Sequence, residues 1–346
     1  MPGPATASPD LLPTGEMPLP PSAEAFRIQF DLMLHEHTYL AGSTTDALVN
    51  GRREEFLSAQ AILDANSVEL ARSFGALYGP AAEARFLQGW KRHIQDYELY
   101  AQAAMHGSDS QKQQARAALL DHVHGTLDVI DAQVAKDLPR AFTLGRQGAL
   151  MTANELGDPL ALAIVRQFPG RFPGDANAPD ATSRRQTSLL VQADTILGGA
   201  ALAAGVMGRQ PEVDAISGVQ QQNLAELVNL LAPRMAGISP DQLTSLWQSR
   251  NAALMDYALA VPANDSGKRQ QAVQRLDAFR QNVDQLLMPS GVTLGDRFIS
   301  QTAYVTAALD ALGMHDVGAA KAFMAGAAKQ SPEIGVRLAL AASRAA

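Results

Sequence analysis

The chain contains no cysteine. That excludes disulfides, thiolate metal sites and cysteine nucleophiles, so any bound metal must sit on histidine, carboxylate or carbonyl groups. Aromatic residues are scarce, at 5% of 346. β-Branched runs are scarce too, while alanine, leucine and glutamine dominate, a mixture that favours helices over strands. Lysine and arginine are scattered, and the net charge is −7. A nucleic-acid surface needs a basic stripe, and none is present. No P-loop, GxGxxG after a strand, GxSxG or HExxH occurs, which removes the common nucleotide and hydrolase signatures.

The first 21 residues hold seven prolines and lack the basic and apolar regions of a signal peptide. They are expected to form an extended polyproline-like arm, either solvated or docked on a partner. The longest weakly polar stretch, SLLVQADTILGGAALAAGVMG at 188–208, is long enough to span a membrane. Its Gln192, Asp194 and small residues instead suggest a buried helix packed closely through Gly198, Gly199 and Ala201, and no transmembrane span is expected.

Helix punctuation is frequent. Asn50-Gly51 closes a helix that begins near Ser22, Tyr78-Gly79-Pro80 separates a second from a third, and Met105-His106-Gly107 closes the third. Ser108-Asp109-Ser110-Gln111 reads as a capping box for a fourth. A fifth segment follows Pro139 and ends in IVRQFP. Residues 170–184 are rich in Pro, Gly and Asp and read as a linker. Then the pattern restarts. At an offset of 157, Gly42 meets Gly199, Gly51 meets Gly208, Asn66 meets Asn223, Glu69 meets Glu226 and Tyr100 meets Tyr257. The only two tryptophans, Trp90 and Trp247, meet as well. Beyond residue 130 the register slips, because Pro289 arrives earlier than Pro139 requires. The expected fold is all-α, with two tandem antiparallel bundles of four or more helices each, related by internal duplication. The expected division is an arm at 1–21, a first bundle at 22–169, a linker at 170–184 and a second bundle at 185–346.

The first helix carries an apolar stripe of Phe26, Phe30, Met33, His37 and Leu40, at the spacing of one helix face. His37 sits on it, Glu36 to one side and His35 on the opposite flank. The third helix gives Phe86, Trp90, His93, Tyr97 and Tyr100, and the fourth gives Ala118, His122, Gly125 and Val129, with Asp121 beside His122. Each of three helices thus points one histidine inward. Buried imidazoles need partners. A transition metal ion on His37, His93 and His122, with Glu36 or Asp121 as a further ligand or outer-sphere acceptor, would satisfy all three. A buried His–carboxylate network is the competing arrangement. At offset 157 the three histidines become Asp194, Arg250 and Phe279, so any chemistry belongs to the first bundle.

Four phrases together, the LHEH of the first helix, the histidine at 93 before an apolar run, DHVH at 121–124 and the closing IVRQFP, resemble a bacterial family of mostly uncharacterised helical-bundle proteins. That family carries acid–His pairs on several helices and a closing QFP phrase, and many members are exported. The resemblance covers about residues 26–170 and, more weakly, the second half. It points to Glu36-His37, His93 and Asp121-His122, and it implies the cell envelope as compartment. Arg92 and Asn154 stand where the family has acids, which favours a histidine-led site over a strongly acidic one.

Three functions compete. The first is a metal-binding protein of the envelope, holding copper, iron, manganese or zinc. The second is a redox metalloenzyme such as a superoxide dismutase-like protein. The third is a structural subunit of a larger envelope assembly or homo-oligomer, with no metal.

Overall fold

The computed structural model describes residues 19–118, 124–235 and 237–344. Every regular element among them is helical. Most of the proline-rich arm lies outside these residues, as do Asp121 and His122.

Ser22 caps the first helix by accepting from the Ala25 backbone N–H at 3.2 Å. The first half then runs α1 (Ala23–Val49), α2 (Arg53–Tyr78), α3 (Pro80–Met105), α4 (Asp109–Ala118), α5 (His124–Val134), α6 (Leu138–Met151), a π-helical turn (Thr152–Gly157) and α7 (Asp158–Gln167). The second half runs α8 (Pro179–Val206), α9 (Gln210–Leu231), α10 (Pro240–Ala260), α11 (Ser266–Leu287), α12 (Gly295–Gly313), α13 (Val317–Ala328) and α14 (Ser331–Arg344). The breaks expected at 50–51, 78–80 and 105–107 fall at helix ends. Gly51 and Gly208 take φ of 66° and 70° in equivalent turns, a backbone region that costs a side chain more than it costs glycine. The expected linker is shorter than its composition implies, because α8 starts at Pro179. Its first part is tied down. Phe172 packs on Phe26 at 4.6 Å, and the Ala23 N–H donates to the Pro173 carbonyl at 3.0 Å.

Residues 157 apart make the same bonds. Asn66 Nδ2 donates to the Met33 carbonyl at 3.1 Å, and Asn223 Nδ2 to the Leu190 carbonyl at 2.8 Å. The Trp90 indole faces position 37, and the Trp247 indole faces position 194. In the C-terminal part of each half the spacing widens to 179, so Tyr100 meets Asp131 while Tyr257 meets Asp310. Asp137 and Asp316 cap α6 and α13 alike. The register slips because 53 positions separate Tyr257 from Asp310 where 31 separate Tyr100 from Asp131.

The two halves interlock. α1 and α8 pack on each other at the centre, α6 reaches across to α9, and α13 reaches back to α2. Where the α1–α2 and α8–α9 corners meet, Arg52 pairs with Glu212 at 3.0 Å and Arg209 with Glu55 at 2.6 Å. α8 is long and apolar enough to cross a membrane by length and composition, and 78% of its most apolar window is buried in this fold.

α14 lies unusually close to α8. A Cβ on Gly335 would stand 2.4 Å from Ser188 Cα. Gly335→Ala, normally favourable inside a helix, is therefore expected to destabilise the protein by roughly 1–3 kcal/mol through overpacking, read as a lowered urea midpoint at unchanged slope.

Candidate functional site

The first half holds a half-open cavity of about 540 Å³ between α1, α3, α5, α6 and the π-helical turn, with the exposed Arg85, Gly89 and Arg92 of α3 at its rim. Three glycines, Gly42, Gly89 and Gly145, border it. A Cβ at any of them would meet nothing within 4 Å, and at the partly buried Gly42 and Gly145 the lack of a side chain leaves room unfilled. Aromatic rings form much of the wall. Phe86 stacks on Trp90 at 5.0 Å, and Tyr97 lies 6.1 Å from His93. The π turn brings Thr152 and Leu156 to the lining, and such turns recur at functional sites.

His37 and His93 both line this cavity, with ring centres 5.5 Å apart. The sequence stripes on α1 and α3 thus converge as expected. Asn66, on α2, decides the tautomer of His37. Its Nδ2 is committed to the Met33 carbonyl at 3.1 Å, which turns Oδ1 to His37 Nδ1, also at 3.1 Å. His37 Nδ1 must then carry the proton and donate. Trp90 Nε1 also lies 3.3 Å from that nitrogen, but a protonated Nδ1 cannot accept from it. Nε2 is therefore a bare lone pair, and it is buried with no hydrogen-bond partner. Burial, first, and the neighbouring His93, second, push the His37 pKa down to about 3, against the Asn66 bond that raises it. The ring is neutral at ordinary pH, the form in which imidazole binds a metal.

Glu36 is buried but does not line this cavity. It faces a different one, between the halves. Asn66 Nδ2 lies 3.5 Å from its Oε2, so the amide stands between Glu36 and His37. Burial pushes its pKa up to about 7, opposed by Lys329 and the Asn66 bond and reinforced by Glu69. Among the described residues no group of three or more His, Asp or Glu side chains is placed to hold a metal. Of the expected ligands, Asp121 and His122 lie outside the described residues, in the segment between α4 and α5. The sequence reading did not single out Asn66 or the Trp90 indole as site residues, although their matches at offset 157 were visible. His35 lies away from the His37 cavity, on the opposite flank of α1 as expected, but that flank is covered. It is fully buried on α8, its Nδ1 donating to Gln192 Oε1 at 2.7 Å, and burial holds its pKa down to about 4.

The second half closes the equivalent space. Asp194 and Arg250, at the positions of His37 and His93, form an ion pair at 3.4 Å. Arg250 also donates to Gln301 Oε1 at 2.8 Å. Trp247, Phe279 and Phe298 pack edge to face, with centres 5.0–6.2 Å apart. A cavity of about 30 Å³ remains beside Asp194 and Arg250.

Two outcomes are expected. Nitrogen NMR of the histidine rings should show His37 as the neutral Nδ1–H tautomer between about pH 5 and 8, and Asn66→Leu should abolish that preference. Arg250→Ala should lower the unfolding free energy by roughly 3–5 kcal/mol, because it strands the Asp194 carboxylate in the core.

Comparison of the chain with family models, with curated proteins and with solved structures finds no match.

Proposed function

We propose that this chain is a metal-binding helical protein, with a transition metal ion held in the first bundle by imidazole nitrogen. The observation that carries the reading is the His37 Nε2 lone pair, buried, unprotonated and without a hydrogen-bond partner beside a second imidazole. Leaving such a group unsatisfied costs a fold about 1–3 kcal/mol, and a borderline metal is the ligand that recovers it best. His37 and His93 supply two nitrogens. The remaining ligands would come from Asp121-His122, and the Glu36–Asn66 pair would fix the His37 ring from behind, as outer-sphere partners do. Copper, iron, manganese and zinc all suit this donor set. The cell envelope is the proposed compartment, on the sequence resemblance alone. In this reading the second half is a copy of the first that has exchanged the site for packing.

A second reading rests on the cavity walls. They are mostly apolar and aromatic, and the volume is within the range that small organic ligands occupy. Here the two imidazoles would orient an apolar molecule by hydrogen bonding, and no metal is needed.

Elemental analysis separates the two. Protein purified without affinity metal is expected to carry about one transition-metal ion per chain, and the His37→Ala, His93→Ala, His122→Ala variant to carry none while retaining its helical spectrum. Metal-free wild-type protein that still fails to bind added zinc, copper, iron or manganese would overturn the metal reading.

A further inference from the structure

A second cavity, of about 230 Å³, lies between the two halves and adjoins the imidazole site, with Thr38, Gly42, Val129 and Gly145 bordering both. Its walls are unequal. α1 contributes Glu36, Tyr39, Ser43 and Asp46, spaced to share one helix face. The residues 157 further on, in α8, are Ala193, Ile196, Ala200 and Ala203. One wall is polar and the opposite wall apolar. The asymmetry is repeated across the cavity, where α6 presents Phe142 and the equivalent position of α13 presents Lys321.

Lys321 is an ammonium-bearing side chain in an unusual position. Its Nζ makes one hydrogen bond, to Ser43 Oγ at 3.1 Å, and forms no ion pair among the described residues. Burial pushes its pKa down, Arg52 and Arg209 add to that, and Glu55 and Asp46 oppose it. Two further polar atoms in the lining have no partner, the Tyr39 hydroxyl and Gln133 Oε1. Gln133 is 5% exposed, and its Nε2 is already committed to the Gly42 carbonyl at 3.0 Å. An amine with unused hydrogens, a phenol and an amide oxygen thus border one space whose far side is apolar.

Charge selects the ligand. Four carboxyl groups, Glu36, Asp46, Glu55 and Glu212, already stand against three basic side chains, Arg52, Arg209 and Lys321, around this cavity. A carboxylate ligand would add a buried negative charge with no counter-ion, which is costly. An uncharged ligand adds none. We infer that this cavity binds a small aldehyde or ketone with an apolar body and holds it as an imine on Lys321. The amine lone pair attacks the carbonyl carbon, a C=N bond replaces C=O, and the two nitrogen-borne hydrogens leave with the oxygen as one water. No oxidant or reductant is needed. A desolvated lysine is the form suited to this addition.

The test is trapping. The folded protein is incubated with hexanal and sodium cyanoborohydride, and lysine labelling is followed by peptide mass mapping. Lys321 is expected to be alkylated roughly tenfold faster than any of the five other lysines, with the preference lost in urea. Lys321→Arg keeps a basic side chain beside Ser43 and is expected to melt like wild type while losing the fast label. Labelling at Lys321 no faster than at the exposed Lys268 would overturn the proposal. So would stabilisation by hexanoate, rather than hexanal, that Lys321→Met removes, since the cavity would then be an anion site.

Discussion

The architecture depends on two helices, α1 and α8, that are covered on nearly every side. Each packs on helices of its own half and on the other central helix. Polar groups on such helices have no water to turn to, so each must find a protein partner or remain unsatisfied. Most find one. His35 and Gln192, one from each central helix, bond across the join. Arg185 reaches from α8 to Asp31 on α1 and to Asn154 in the π turn. Asn66 and Asn223 each hold a carbonyl of the central helix beside them. His37 Nε2 shares its lack of a partner with Asp31 Oδ1, His35 Nε2 and the Tyr39 hydroxyl on the same helix, and among these four residues it is His37 that borders the larger cavity.

Much of this was legible in the sequence. Glycine, proline and asparagine marked the ends of α1, α2 and α3 because helix termination is a local matter of backbone angle and missing N–H groups. The inward direction of His37 and His93 followed from helix periodicity alone. The π turn at 152–157 was not legible, since no residue in TANELG breaks a helix by itself. The burial of His35 was missed for a related reason. A stripe argument assumes one buried face, whereas α1 has a second partner behind it. The crossing of α6 to α9 and of α13 to α2 is a long-range choice that periodicity does not encode. Glu36, expected to one side of the stripe as a further ligand or outer-sphere acceptor, proves to be parted from His37 by Asn66.

The two halves show how one framework takes different interiors. At position 37 an imidazole leaves an open space of about 540 Å³, and at position 194 an aspartate paired with Arg250 leaves about 30 Å³. The bonds from Asn66 and Asn223 are the same in both, so the framework does not depend on what fills the centre. The shared bonds and the interlocked helices recur in both halves, and the contents of each bundle differ as matched sets, an aspartate with its arginine in one and two imidazoles in the other.

The Arg52, Glu55, Arg209 and Glu212 corner is the kind of self-complementary contact that joins two identical subunits about a twofold axis. In such a dimer every substitution appears twice, and a lysine facing the axis would confront its own image. Here both sides of the axis belong to one chain, and each position is encoded separately. The chain can therefore set a lysine opposite a phenylalanine, and a polar helix face opposite an alanine-rich one. That freedom gives the central cavity a direction, a property that no strictly symmetric pairing of two identical chains can have.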